Sequence, residues 1–362
     1  MNDIADACGC SRATVNHILL GHGDRFAPAT RRRVMDTAAR LGYRVNSSAR
    51  AIKTGRFDCV SLILGPRVEL GTVPMGLLTG MEERFARRGI HLTLCHAFRS
   101  NGPRSPKVAG KNESEPAAVG VPKIIQQSIV DGHLVIAARF DRSELVPDWV
   151  DKLDQGPLPV VKLGVKRKYD CAYVDDEQGG FAATHHLIEL GHRDIACVGG
   201  HTKAQAAIDR RAGYARAMAS AGLEPRYLTF DIPSKPKNTN PLLHDEMIQS
   251  VERLAQCTEW LKNKASRPTA MFGVWATDAL SIQTAAHRLQ IDLPSDLSLI
   301  AVHDYFVGLG SPIATYCVNS TPLGRKAAEM MMTKLDQPGE KLSPAVQPYQ
   351  FAGGLTAGPP KT

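Results

Sequence analysis

A short polar stretch near the N-terminus, SRATVNHILLGHG at residues 11–23, carries side chains that can recognise the bases and phosphates of nucleic acid. Ser11 is a good N-cap for a helix predicted over residues 12–20. The apolar residues of this helix share one face: Val15, Ile18 and Leu19. The residues left facing outward are Arg12, Ala13, Asn16 and His17. An arginine there can bind a guanine through two hydrogen bonds, while Ser11, Thr14 and the backbone N–H groups of the helix start can hold phosphates.

Two further short helices are predicted around this one. The segment DIADAC, residues 3–8, has an apolar contact face formed by Ile4, Ala5 and Cys8. Gly9 then permits a tight turn, and Gly21 closes the second helix. A third helix begins at Pro28 and is ended by Gly42, and its predicted inner face consists of Val34, Ala38 and Leu41. This order of helices and turns is the plan of a helix-turn-helix domain, whose second helix enters the major groove of DNA.

The positive charge of the chain is concentrated in this same segment. Residues 1–57 contain ten Lys or Arg and four Asp or Glu, a net charge of +6, whereas the other 305 residues carry 34 basic and 32 acidic side chains. A concentrated basic segment is the electrostatic signature of a phosphate-binding module. Charge alone fits a solvated basic face equally well.

Composition excludes several other classes of protein. A hydrophobic fraction of 43% and a charged fraction of 22% are typical of a soluble globular chain. No apolar run approaches the roughly 18 residues of a membrane span, and the polar, acidic start differs from a secretory signal. The eight cysteines form no CxxC pair and lack zinc-ligand spacing, so free thiols and no metal are predicted. We therefore expect a cytoplasmic protein that does not enter a membrane.

From residue 58 the pattern changes to apolar runs that alternate with helical segments. CVSLILGP (59–66) is predicted to be a buried strand, and the further predicted strands are IHLTLCHA (90–97), GHLVIAA (132–138), LPVVKLG (158–164), CAYVDD (171–176), DIACVGG (194–200), PTAMFGV (268–274) and LSLIAVHD (297–304). Such alternation produces doubly wound parallel sheets, and the number of strands predicts two lobes. Two polar stretches without periodicity, residues 98–120 and 234–245, are predicted to be surface loops, the first of them a mobile insertion.

The order of these motifs resembles the LacI/GalR family of bacterial repressors. The matching N-terminal residues are Thr14-Val15, Leu19, Gly21, Thr30-Arg31, Val34, Leu41-Gly42-Tyr43, Asn46, Ala49-Arg50 and Ile52. Further along, VDGHLVIA, VDDEQGGFAATHHLIELGHRDIACVGG, RRAGYARAMASAGL and PTAMFGVWATDALSIQTAAHRLQIDLPSDLSLIAVHD match the family's core in order. The resemblance covers nearly the whole chain. It implies an α/β protein, with an all-α helix-turn-helix DNA-binding domain followed by a two-lobed periplasmic-binding-protein-like core of doubly wound parallel sheets.

For DNA binding, the resemblance implies a hinge helix at residues 46–53 that becomes ordered when two subunits sit on DNA. Ile52 holds the position of the family's leucine, an apolar wedge that unstacks a base step in the minor groove and bends the duplex. The predicted DNA contacts are Ser11, Arg12, Ala13, Thr14, Asn16, His17, Arg25, Thr30, Asn46, Ala49, Arg50, Ile52 and Lys53. His17, Leu20 and Val45 replace the family's usual arginine, asparagine and proline, and the first two leave the operator sequence open.

The resemblance also implies a domain organisation. Residues 1–57 form the DNA-binding domain and residues 58–362 the effector-binding core. Lobe 1 of the core is expected at about 58–160 and 320–337, and lobe 2 at about 161–319 and 338–362. The chain is expected to cross between the lobes near residues 160–162, 317–321 and 337–341.

Family members bind a small effector between the lobes, and four effector-binding positions carry over by motif: Arg139, Arg210, Trp275 and His303. Arg210 matches the family and can hold a carboxylate or sugar hydroxyls through its planar guanidinium. Trp275 can stack on the apolar face of a sugar or on a planar ring. Gly164, Trp275-Ala276 and His303 stand where the family usually has polar contacts, and Trp275 and His303 also fit purely structural roles.

Together these features predict a transcriptional regulator, a repressor by resemblance, that binds a palindromic double-stranded DNA operator as a homodimer. A small, sugar-like molecule in the cleft is expected to modulate it. No cofactor and no catalytic residue is predicted, because the sequence has no GxGxxG, P-loop or GxSxG motif. Two alternatives stay open. One is a regulator whose degenerate pocket responds to no small molecule, and the other, which the basic N-terminal helices oppose, is a solute-binding protein.

Overall fold

The structure is a computed structural model that describes residues 1–20, 23–43, 51, 55–65, 68, 70, 73–99, 119–121, 129–136, 145–199, 204–231, 244–303 and 312–361. The chain divides into two compact units, Met1–Cys59 and Val60–Thr362. Within the described ranges, no helix is long and apolar enough to cross a membrane.

The first unit is built from three helices, α1 (Asn2–Cys8), α2 (Arg12–Leu19) and α3 (Pro28–Arg40). Each helix contributes one apolar face to a shared core, which consists of Ile4, Ala5, Cys8, Val15, Ile18, Val34 and Ala38. Helix α1 ends at Gly9, whose φ of 59° is a left-handed conformation that glycine adopts without strain. The Ser11 Oγ accepts a hydrogen bond from the N–H of Thr14 at 3.1 Å, which confirms the predicted N-cap of α2.

The inner face of α3 differs from the prediction at Leu41. This side chain is 49% exposed, because the helix ends at Arg40 and Leu41 is its C-cap. Thr37 lies in the buried face instead, and Tyr43 packs against the core from beyond the helix. Gly21, the predicted end of α2, lies outside the described residues.

The second unit alternates strands and helices. Its described strands are β1 (Cys59–Leu64), β2 (His91–His96), β3 (Phe98–Arg99), β4 (Val119–Gly120), β5 (Gly132–Ile136), β6 (Val160–Leu163), β7 (Cys171–Val174), β8 (Ile195–Val198), β9 (Arg226–Leu228), β10 (Ala270–Gly273), β11 (Ser298–His303), β12 (Ala314–Cys317), β13 (Ala345–Gln347) and β14 (Gln350–Phe351). Its described helices are α4 (Met75–Ala86), α5 (Leu145–Asp154), α6 (Asp176–Glu189), α7 (Gln205–Ser220), α8 (His244–Lys262), α9 (Ala276–Arg288) and α10 (Ser320–Asp336). The alternation places helices on the faces of the sheets, as expected for parallel pairing.

Two six-stranded sheets define the two lobes of this unit. The lobe 1 sheet has the order β13-β7-β6-β5-β1-β2, and the lobe 2 sheet has the order β14-β12-β11-β10-β8-β9. Strands β1, β5, β6, β7 and β13 pair in parallel in the first sheet. In the second sheet β9, β8, β10, β11 and β12 pair in parallel, and β14 runs antiparallel to β12. The predicted class of two doubly wound parallel lobes is confirmed.

Each lobe contains a pair of helices that cross at glycines. In lobe 1, α4 and α10 approach each other at Gly80 and Gly324. In lobe 2, α6 and α7 meet at Gly180 and Gly213, where a Cβ on Gly180 would lie 2.0 Å from the carbonyl oxygen of Arg210. The missing side chains let the backbones pack directly, so the start of α6 and the middle of α7 are fixed against each other.

Two of the three crossings between the lobes lie at other positions than predicted. Strands β6 and β7 belong to the lobe 1 sheet, so the first crossing follows Val174 instead of residues 160–162. Strand β13 also belongs to lobe 1 and β14 to lobe 2, which places the third crossing at 348–349 instead of 337–341. The second crossing lies between Cys317 and Ser320. The first crossing comes later than predicted because β6 pairs directly with β5 and extends the lobe 1 sheet.

The predicted insertion begins and ends in a short antiparallel ribbon. Residues 98–99 of β3 pair with residues 119–120 of β4. Residues 100–118 between them lie outside the described residues, as do residues 232–243 in and before the second polar stretch.

Candidate nucleic-acid interface and effector cleft

The outward face of α2 carries the polar residues that the sequence predicts. The exposed or half-buried residues of this face are Arg12, Ala13, Asn16 and His17. On the other side Val15 is 0% exposed and Ile18 is 6% exposed, so the helix is anchored in the core. Capping by Ser11 orders the first turn of the helix, where backbone N–H groups and a partial positive charge favour a phosphate.

The loop before α3 is tied to the C-terminal half of α2. The Arg25 Nη2 donates a hydrogen bond to the Nδ1 of His17 at 2.8 Å. The Arg25 guanidinium also lies over the Phe26 ring, 5.7 Å from its centroid. Thr30 is half-buried in the first turn of α3. Arg25 and His17 can therefore act as one unit at the end of the outward face.

The hinge contacts predicted from the family resemblance are not described by the structure. The residues concerned are Asn46, Ala49, Arg50, Ile52 and Lys53. Their roles on DNA stay predictions.

In lobe 2, Arg210 is fully buried and held by other groups of the protein. Its Nε donates to the Oδ1 of Asp176 at 2.8 Å, its Nη1 to the carbonyl of Val274 at 3.0 Å, and its Nη2 to the hydroxyl of Tyr349 at 2.8 Å. The Trp275 ring lies beside the guanidinium, with 4.3 Å between the Arg210 Cζ and the ring centroid. Arg210 therefore lies beside Trp275, another predicted effector-binding residue, and its donors are bonded to the protein.

The partners of Arg210 come from two of the chain crossings. Asp176 begins α6 directly after the first crossing, and Tyr349 lies in the third. The Tyr349 hydroxyl donates to the Asp176 Oδ1 at 2.8 Å, and its backbone N–H donates to the Oε1 of Gln178 at 3.1 Å. Arg210 therefore fastens both crossings to α7. No periodic pattern or motif in the sequence indicates this contact between residues 173 positions apart.

Beside Trp275, the structure buries an acidic residue that sequence reasoning missed. Asp278 is 0% exposed, and its Oδ2 accepts a hydrogen bond from the Trp275 N–H at 3.2 Å. Among the described residues, its Oδ1 has no hydrogen-bond partner. Burial raises the pKa of Asp278 to about 7, although Arg253, the Trp275 N–H and Arg210 act in the opposite direction. The missing side chain of Gly199 makes room for this carboxyl group.

Of the two remaining predicted effector-binding residues, the structure describes one. His303 is the half-buried last residue of β11, and Arg139 lies outside the described residues.

In lobe 1, a small apolar cavity lies at the carboxyl ends of β5, β6 and β7, where doubly wound sheets bind ligands. Its lining consists of Val68, Val73, Pro74, Leu77, Ile136, Leu163, Gly164, Ala172, Val174, Ser320 and Leu323. Lobe 1 therefore contributes an apolar wall.

The cysteines are free thiols, and several of them are buried. Burial raises the pKa of the Cys197 thiol strongly and that of Cys257 to about 12, which keeps both protonated and unreactive. In the part of the chain that the structure describes, no group of three His, Cys, Asp or Glu residues is arranged to hold a metal ion.

Comparison with known proteins shows which proteins this chain is similar to in sequence and in fold. A model of the periplasmic binding protein-like domain family matches residues 184–353. The HTH-type transcriptional repressor PurR of Vibrio parahaemolyticus serotype O3:K6 (strain RIMD 2210633) is 27% identical over 356 residues, which cover 96% of each chain. The Lac repressor dimer bound to operator and the anti-inducer ONPF has a TM-score of 0.73 at 18% identity, covering 98% of each chain. The transcriptional regulator CelR–cellobiose complex has a TM-score of 0.59 at 20% identity, again covering 98% of each chain.

A helix-turn-helix unit followed by a two-lobed periplasmic-binding-protein-like unit is the architecture of a DNA-binding transcriptional regulator, and the relatives PurR and Lac repressor named above are transcriptional repressors. The predicted resemblance is confirmed. Over nearly its whole length the chain is similar to transcriptional regulators of the LacI/GalR family.

Proposed function

We propose that this regulator is a repressor that binds a palindromic double-stranded DNA operator as a homodimer. The observation that carries the proposal is the Ser11-capped helix α2, whose buried face is anchored in a three-helix core while Arg12 and Asn16 face outward. The relatives support it, since PurR is named a repressor and the Lac repressor was solved as a dimer on its operator. A two-fold symmetric pair of such helices matches two half-sites of a palindrome.

Affinity and specificity come from different residues in this proposal. The hydroxyls of Ser11 and Thr14 hold phosphates, and basic residues of the first unit supply a salt-dependent share of the affinity. Arg12 and Asn16 bind base edges in the major groove. Ile52 of the hinge helix enters the minor groove and bends the centre of the site.

Replacing Arg12 with alanine is expected to lower the affinity for operator relative to random DNA by about 1–3 kcal/mol, because a bidentate contact to a base carries specificity. Affinities for operator and scrambled duplexes are measured by fluorescence anisotropy at one fixed salt concentration. Lys166→Ala, which removes one exposed positive charge from the second unit, is the matched control and should leave the ratio of affinities unchanged. Equal losses on both duplexes would show that Arg12 contacts only phosphate.

The effector proposed here is a sugar or sugar-like molecule with an apolar face, bound in the cleft between the lobes. Two features support this ligand class. The lobe 1 cavity is apolar apart from Ser320, and Trp275 offers an aromatic ring at the start of α9. His303 supplies a polar group at the end of β11. The structural neighbour CelR, which was solved in complex with cellobiose, supports a sugar as the ligand class.

The effector proposal is tested by a thermal-shift screen of the full chain against sugars, sugar phosphates, sugar acids and purines. A true effector stabilises the folded protein by about 2–3 kcal/mol when present at a hundredfold excess over its dissociation constant. The stabilisation should be lost in Trp275→Leu and retained in Tyr169→Leu, a control that removes an exposed aromatic residue. A stabiliser that is insensitive to Trp275→Leu would contradict the proposed site.

A second candidate is a regulator of the same fold that responds to no small molecule. The observation that favours it is the complete burial of Arg210, whose donors are bonded to Asp176, Val274 and Tyr349. The thermal-shift screen separates the two candidates. If no compound of these classes changes either the melting temperature or the affinity for operator, the second candidate replaces the first.

A further inference from the structure

The outward face of α3 carries a stripe of alternating charge that the proposed function does not use. Arg32, Asp36 and Arg40 are exposed and lie four residues apart, so they share one side of the helix over about 12 Å. They share this side of α3 with Pro28, Ala29, Arg33 and Thr37. We call these three charged residues the α3 charge stripe.

No residue in the described part of the chain satisfies the charges of the stripe. Arg32, Asp36 and Arg40 make no ion pair or side-chain hydrogen bond with any described residue, although their spacing permits pairing along the helix. Arg31 on the same helix behaves differently, since its Nη1 lies 3.0 Å from the Oδ1 of Asp24. The stripe therefore offers three free charged groups in a fixed order.

The stripe lies on the side of α3 that is turned away from the core. Val34 and Ala38 pack into the core shared with α2, and Asp36 is rotated about 200° from Val34 around the helix axis. DNA lying along the outward face of α2 therefore meets a different surface of the unit. In addition, a continuous row of phosphates would set negative charge against the carboxylate of Asp36.

We propose that the α3 charge stripe docks a helix of a partner protein that presents an acidic, a basic and an acidic residue at intervals of four. The negative, positive, negative order of charges on that helix is complementary to the positive, negative, positive order of the α3 charge stripe. The outer carboxylates pair with Arg32 and Arg40, whose planar guanidinium groups can each accommodate both carboxylate oxygens. The central cation pairs with Asp36.

The test measures binding of synthetic helices to the full chain by fluorescence anisotropy. One alanine-rich peptide carries Glu, Lys and Glu at intervals of four residues, and the second, of the same length, carries Lys, Glu and Lys. The protein is expected to bind the first peptide at least about fivefold more tightly, the effect of several modest exposed ion pairs. The triple variant Arg32→Glu, Asp36→Lys, Arg40→Glu should prefer the second peptide. Reversal of preference by reversal of charge identifies the stripe as the docking site.

The matched control is Arg31→Glu, which reverses a charge on the same helix outside the stripe. It should leave the preference between the peptides unchanged, and circular dichroism should show that both variants keep the helices of the first unit. Equal binding of the two peptides, or an equal loss of preference in Arg31→Glu, would overturn the proposal. It would also be overturned if Arg32→Gln and Arg40→Gln together reduced the salt dependence of DNA binding by about two phosphate contacts, because the stripe would then be a DNA surface. Self-association of the protein that the triple variant abolishes would assign the stripe to a second copy instead.

Discussion

Replacing Arg210 with methionine is expected to lower the free energy of unfolding of the second unit by about 3–5 kcal/mol. The guanidinium is fully buried and satisfies Asp176, whose side chain is 12% exposed, together with the hydroxyl of Tyr349. Methionine fills a similar volume but provides no donors. The carboxylate of Asp176 is then left without its countercharge, and breaking a buried pair in this way is much more destabilising than losing an exposed one.

Urea unfolding followed by circular dichroism and tryptophan fluorescence measures this loss. The matched control is Arg216→Met on the same helix, because Arg216 pairs with Glu177 at 3.0 Å while both side chains are about half exposed. Its loss should stay below about 1 kcal/mol. Adding Asp176→Leu to Arg210→Met should recover much of the stability, since the unpaired carboxylate is removed as well. Similar small losses in both single variants would contradict the buried-pair interpretation.

This result bears on how the effector site can be studied. If Arg210 holds both chain crossings, its removal destabilises the lobe and abolishes any ligand effect for that reason alone. A ligand that reaches Arg210 must also compete with Asp176 and Tyr349, which already occupy its donors. Trp275 is therefore the more informative residue for testing effector binding.

The elements that were predictable from sequence are those set by local spacing. Ser11, followed by apolar residues spaced three and four positions apart, predicted where α2 begins. The same spacing predicted that Val15 and Ile18 lie in the core. The buried strands were recognisable because parallel strands covered on both faces form continuous apolar runs. The prediction that Leu41 lies on the inner face of α3 was wrong. The spacing of Leu41 fits the helical period, but the helix has already ended at Arg40.

The features that were not predictable depend on contacts between distant parts of the chain. No local pattern indicates that Arg210 meets Tyr349, or that β13 returns to the lobe 1 sheet beside β7. Asp278 stands in the first turn of a helix, where an acidic residue usually only caps exposed N–H groups. Its complete burial arises from tertiary packing beside Gly199, which the sequence does not reveal.

Asp278→Asn is expected to stabilise the protein in a pH-dependent way. The pKa of Asp278 is raised to about 7 by burial, above the value of 3.8 for an unperturbed aspartate. The folded state therefore retains a proton that the unfolded state has already lost, and the stability of the wild type falls as pH rises through this range. Asparagine has no proton to lose and keeps an oxygen acceptor for the Trp275 N–H. The advantage of the variant should grow by about 2–3 kcal/mol between about pH 5 and about pH 8.

Urea unfolding of both proteins across this pH range measures the difference directly. Comparing the two is essential because His133 acts in the opposite sense. Burial lowers the pKa of His133 to about 4, so its contribution to stability is lost as pH falls below the range of an unperturbed histidine. His133 is present in both proteins, and its effect cancels in the difference. A difference that stays constant with pH would show that the carboxyl of Asp278 titrates normally, and that a water or a movement of Arg253 satisfies its Oδ1 in solution.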